Sequence, residues 1–143
     1  MAGPLKLRAE DEEDLAVVST ILQDALVPVG EMAYLPEEKR FVLVANRFKW
    51  EGAPLASGKL YERTLIGIAF DGVEGVKIRG FDRTDQDRIL HVLAVRSQQG
   101  AVVFDFSGND SMRLEVSRIL CHLEDIGEPW PTPWRPRHPL DVP

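Results

Sequence analysis

The sequence is short of most features that announce a function. It has one cysteine, Cys121, which excludes an internal disulfide framework and fits a reducing compartment. No run comes near the roughly 18 consecutive apolar residues of a membrane span, and the first residues, MAGPLKLRAED, lack the apolar core of a secretion signal. Cationic excess is also missing. The net charge of −6 disfavours contact with phosphate backbones, because nonspecific nucleic-acid binding depends on Lys and Arg displacing counterions. Only three histidines are present, His91, His122 and His138, and none has zinc-ligand spacing. The expectation is a cytoplasmic protein that needs no cofactor or metal, spans no membrane and binds no nucleic acid.

What remains is a rich pattern of secondary structure. A chain of 143 residues is normally one domain and can bury about two-thirds of the surface its unfolded form exposes. Leu5 to Arg8 alternates apolar and basic residues, as a short strand does. Five acids, Glu10 to Asp14, then precede Leu15, Val18, Ile21, Leu22, Ala25 and Leu26, which share a helical face. Acids suit the first turn of a helix, where unpaired N–H groups and the macrodipole are positive. Pro28 ends that helix.

Strand signals follow at Val29 to Tyr34, Arg40 to Trp50, Leu60 to Phe70, Val76 to Phe81, Ile89 to Arg96 and Ala101 to Ser107. Gly52 to Gly58 and the DRTDQDR segment from Asp82 read as loops, and Asp71-Gly72 as a turn between strands. From Asp110 to Ile126, Met112, Val116, Ile119, Leu120, Leu123 and Ile126 fall on one helical stripe, with Gly127 at the C′ position and Pro129 forbidding continuation. This predicts an amphipathic C-terminal helix that covers the sheet. Leu114 and Cys121 form a smaller apolar strip on its back face, a contact for the tail or for a second copy in a homodimer.

The last fifteen residues hold six of the ten prolines and two of the three tryptophans, Trp130 and Trp134. The domain is therefore drawn over residues 1–128, with a proline-rich tail, 129–143, that is docked or disordered.

The order strand, helix, six strands, helix resembles the PH-like superfold in its phosphotyrosine-binding-like branch. That resemblance implies an α+β antiparallel barrel of about seven strands, with a helix after strand 1 and a C-terminal capping helix. The alternative is an open antiparallel sheet with two helices on one face. The stretches LKLRAEDEEDLAVVSTILQDA, AYLPEEKRFVLVANRFKWE and FSGNDSMRLEVSRILCHLEDIGEPW are similar to a family of uncharacterised alphaproteobacterial proteins, domain of unknown function 2948, over nearly the whole length. The resemblance implies a bacterial, cytoplasmic, single-domain protein and no activity, cofactor or site.

No constellation carries chemistry by itself. Cys121 and His122 project about 100° apart on a helix and cannot act as a pair. Asp82, Asp85 and Asp87 match no calcium loop and are interleaved with arginine. Charge segregation is the most distinctive feature. Lys39, Arg40, Arg47, Lys49, Lys59 and Arg63 face only Glu51 and Glu62, a local +4 that leaves −10 for the rest.

Arg47, Lys49, Lys59 and Arg63 are therefore the candidate site for an anion or a partner, and Trp130 and Trp134 the candidate interaction residues of the tail. The functional expectation is a non-enzymatic binding or scaffolding module for an unknown protein partner or a small anionic ligand. The alternative is an enzyme acting on a small anionic metabolite through Arg63, His91 and Asp105.

Overall fold

The computed structural model describes residues 4–50 and 61–132. In chain order the elements are β1 (Lys6–Ala9), α1 (Glu12–Leu22), β2 (Leu26–Pro28), β3 (Met32–Leu35), β4 (Arg40–Phe48), β5 (Tyr61–Asp71), β6 (Val73–Arg79), β7 (Ile89–Gln98), β8 (Ala101–Phe106), β9 (Ser111–Val116) and β10 (Cys121–Thr132). One-turn 3-10 helices, Val29–Glu31 and Ser107–Asn109, join β2 to β3 and β8 to β9. The strands form one antiparallel sheet in the order β1-β10-β5-β4-β2-β7-β8-β9-β6, with β3 beside the start of β4.

This overturns the barrel with a capping helix. β1 and β6 stand at opposite ends of the strand order and do not pair, so the sheet is open. The segment expected to be the C-terminal helix is two strands. β9 lies between β8 and β6, and β10 between β1 and β5. The alternative, an open antiparallel sheet with two helices on one face, holds in its open sheet and fails in its second helix, since among the described residues α1 is the one α-helix.

The physical reason is that the segment carries both periods. Met112 and Leu114 alternate with Ser111 and Arg113, and Cys121 and Leu123 alternate with His122 and Glu124. Pairing to one neighbour on each side buries the alternating set, with Met112, Leu114, Cys121 and Leu123 at 1% exposed or less. It leaves Ile126, a member of the helical stripe, 40% exposed. Gly127 has the positive φ of 74° expected of a C′ residue, but it sits in the bulge of β10 between Ile126 and Trp130.

Asp71-Gly72 is a turn of another kind than a hairpin. β5 and β6 do not pair, and the chain passes at Gly72 (φ 73°) from the first half of the sheet to its far edge, where β6 joins β9. The two halves face each other across one core. Phe70 of β5 meets Phe104 of β8 edge-on, with ring centroids 5.8 Å apart. Fully burying a side chain of this size is worth about 1.5–3 kcal/mol.

α1 begins where the acids predicted. Asp11 caps it by accepting from the Asp14 N–H at 2.8 Å, and Asp14 returns the bond to the Glu10 N–H at 2.9 Å. Leu15, Val18 and Leu22 are the buried face of the helix. The Val95 N–H donates to the Ser19 hydroxyl at 2.9 Å, which ties the helix to β7.

Candidate functional site

The basic residues singled out in sequence lie at the end of β4 and the start of β5. Phe41, Leu43, Ala45 and Arg47 alternate on the inner face of β4, all buried. Arg47 is thus the last member of a core stripe and is fully closed to water. Its Nε and Nη2 donate to Asp125 Oδ1 and Oδ2 at 2.8 Å each, reaching across β5 to β10. The Leu5 N–H donates to Asp125 Oδ2 at 2.8 Å, and the Asp125 N–H donates to the Leu5 carbonyl at 2.9 Å. Burial would raise the Asp125 pKa. The Arg47 and Leu5 hydrogen bonds, with the charges of Arg47 and Lys49, outweigh it and hold the carboxyl below the usual range. Arg47 therefore offers no free cation to a ligand.

Lys49 is 5% exposed, with Nζ 3.6 Å from Glu62 Oε1. Arg63 is 7% exposed and belongs to the outer face. Its Nε donates to Asn46 Oδ1 at 2.7 Å, and its Nη2 to the carbonyls of Asn46 and Asp24 at 3.2 and 3.4 Å. Burial lowers the Arg63 pKa, and the Asp24 charge opposes that shift. Lys59 and Trp134 lie outside the described residues. Trp130 is 37% exposed on β10, paired in register with Arg63. Leu114 and Cys121 are both fully buried strand residues, so they form no helix back face and present nothing to a second copy. Burial, and secondarily the Asp71 charge, pushes the Cys121 thiol up to about 12, which removes it as a nucleophile.

Arg63, His91 and Asp105 do not come together as a trio. Asp105, on β8, pairs with Arg96 Nε at 2.7 Å. His91 Nε2 lies 2.8 Å from Asp24 Oδ1, so the acid near Arg63 and His91 is one that the sequence did not single out. Asp24 follows α1 with a positive φ of 62°, and its N–H is pinned to the Val92 carbonyl at 2.9 Å. Its buried Oδ2 has no hydrogen-bond partner among the described residues. The acids of the DRTDQDR loop serve the loop. Asp82 accepts from the Thr84 hydroxyl and N–H at 2.7 and 2.8 Å, which lowers its pKa. Among the described residues no cluster of three or more His, Cys, Asp or Glu could hold a metal.

A surface that the sequence reading missed lies on the outer face of β10, β5 and β4. Cross-strand partners share a face, so Ile126, Leu65, Asn46, Leu26 and His91 form one row across five strands. The neighbouring outer positions are Val44 and Val42 on β4 and Gly67 and Ala69 on β5, none of them charged. They floor an open concavity of about 530 Å³, with Lys6, Glu31, His122 and Glu124 among the residues around it. A water-facing antiparallel sheet normally alternates polar residues outward. From Val42 to Val44 on β4 and from Leu65 to Ala69 on β5 the outer positions are not polar, and Leu65 and Ile126 are 39% and 40% exposed. The visible signal was the run Leu65 to Phe70, apolar at even and odd positions alike.

The match to known families spans residues 5–138 and is described as protein of unknown function (DUF2948). The chain belongs to the DUF2948 family. Among the described residues, the match takes in the ten strands and α1. No curated protein and no solved structure matches the chain. No helix among the described residues is long and apolar enough to cross a membrane.

Proposed function

We propose that this DUF2948 chain is a cytoplasmic, non-enzymatic binding or scaffolding module, and that it binds through the outer trough of β10-β5-β4. One observation carries the reading. Five outer positions of two adjacent central strands, Val42 and Val44 on β4 and Leu65, Gly67 and Ala69 on β5, carry no charge and are covered by no other described element. Such a patch suits a protein interface.

The occupant proposed is an apolar ridge of a protein partner. The trough is open along its length and its charges stand at the edges, a form that fits a side-chain ridge better than a small polar metabolite. Gly67 and Ala69 leave room at the centre, since a Cβ on Gly67 would meet nothing nearer than the Glu124 carbonyl at 3.9 Å. The competing reading, an enzyme for a small anionic metabolite, called on Arg63, His91 and Asp105 and has lost Asp105 to Arg96.

The test is cross-linking in cells that express the full chain, as wild type and as Gly67→Arg, followed by a binary affinity measurement with each purified partner. A partner that binds wild type and loses at least tenfold in affinity for a variant of unchanged melting temperature supports the trough. Equal affinity for both, or no partner for wild type, overturns it.

A further inference from the structure

We propose that the outer face of the opposite half of the sheet, at β6 and β9, is a binding site for a phosphate group. The register sets Lys77 of β6 opposite Arg113 of β9, and Arg79 opposite Ser111. These four residues stand at the corners of one patch, since positions two apart on a strand share a face. Val103 of β8 lies beside Arg113, and Arg96 of β7 beside Val103, which adds a fourth cation to the patch. Together they line a concavity of about 420 Å³.

Three features distinguish this patch from an ordinary wet sheet face. First, Lys77 and Arg113 are directly opposed like charges, an arrangement that destabilises a sheet unless an anion relieves it. The nearby acids do so only in part. Asp105 is engaged by both Nε and Nη2 of Arg96, at 2.7 and 3.3 Å, and Glu115 stands 3.5 Å from Lys77.

Second, the guanidinium of Arg113 is held by neutral acceptors. Its Nη1 donates to Gln98 Oε1 at 2.9 Å and its Nη2 to the Gln99 carbonyl at 3.1 Å. The group is thereby oriented while no ion pair holds its charge among the described residues, which is how a cation is prepared for an external anion. Third, Arg79 is exposed and has no partner among the described residues. A phosphate over the patch would take charge-assisted hydrogen bonds from Arg79, Lys77 and Arg113, and one from the Ser111 hydroxyl. Chloride has no comparable set of acceptor oxygens.

The experiment uses the full chain, in thermal melts and calorimetric titrations with sodium phosphate against sodium chloride of equal ionic strength. Phosphate is expected to raise the melting temperature by several degrees more than chloride and to bind with a sub-millimolar Kd. Arg79→Gln and Arg113→Gln should each weaken phosphate at least tenfold. In phosphate-free buffer Arg79→Gln should melt no lower than wild type, because it removes an unpaired cation from a like-charged patch. Methyl phosphate in place of inorganic phosphate separates the sources. Equal binding assigns the site to a phosphate monoester, and a strong preference for the inorganic ion assigns it to free phosphate. Equal shifts from phosphate and chloride, or phosphate binding by both variants as tight as by wild type, would overturn the site and leave a solvated sheet face.

Discussion

Arg47 of β4 and Asp125 of β10 hold each other across the intervening strand β5 by two hydrogen bonds of 2.8 Å, at 0% and 5% side-chain exposure. Because Asp125 also receives the Leu5 N–H, the pair joins β4, β10 and the entry to β1 in one polar knot at the end of an apolar core. An ion pair so placed lost its hydration on folding, and removing one partner strands the other.

Asp125→Ala should therefore lower stability by about 3–5 kcal/mol, as breaking buried pairs does. Arg47→Met combined with Asp125→Leu should cost much less than the sum of the single changes, because no charge is then left buried. Urea denaturation of the four species of this double-mutant cycle checks it. Additive effects would mean that the pair is not coupled.

The same pair makes stability depend on acid. The folded pKa of Asp125 is depressed, so its contribution is present in full above the unfolded value of about 3.9 and is lost as pH falls through the folded value beneath it. Denaturation midpoints of wild type and Asp125→Asn should converge as pH drops from 6 towards 2.5. A constant gap over that range would show that the carboxylate charge plays no part.

Cys121 should be silent towards thiol reagents in the native state. It is fully buried, and with a pKa pushed up to about 12 it carries almost no thiolate at pH 8. Labelling with a disulfide dye should proceed only at the rate at which the protein unfolds, and should become immediate in denaturant. Fast labelling of the folded protein would contradict the buried position.

Truncation after Glu128 should destabilise the fold. Trp130, Pro131 and Thr132 are in register with Arg63, Glu62 and Tyr61, at a place where β1 no longer flanks β10. Losing that pairing should cost about 2 kcal/mol at roughly 1 kcal/mol per net hydrogen bond, or some 6 °C in Tm for a chain of this size. An unchanged melting curve would show that this end of β10 carries no stability.

Local signals made part of this fold legible. α1 could be read because Asp11 with Asp14, and Leu15 with Val18 and Leu22, lie within one or two turns of each other. β4, β5, β7 and β8 could be read from their aromatic and β-branched content. Residues 110–126 could not, because a stripe at helical spacing and an alternation at strand spacing coexist there. The choice fell to partners on β5, β8 and β6, from 6 to 61 residues away in sequence.

β10 runs on through the prolines at 129 and 131. Pro129 sits in a bulge where β10 is paired only towards β5, a position in which a missing N–H costs no ladder bond.

The candidate site divides along the same line. Composition and alternation by themselves determined a single cysteine, a mostly antiparallel set of strands and the acid-capped helix after the first of them, and they placed Arg47 and Lys49 on one strand and Arg63 on the next in sequence. Only the tertiary structure decided that Arg47 is interior, because its counter-ion, Asp125, stands 78 residues away. It also decided that the uncharged outer positions of β4 and β5 coincide in one trough, and that Lys77 stands opposite Arg113 and Arg79 opposite Ser111. Periodicity is a property of a few consecutive residues. Register is a property of strands that the chain brings together from far apart, and both surfaces proposed for binding are products of register.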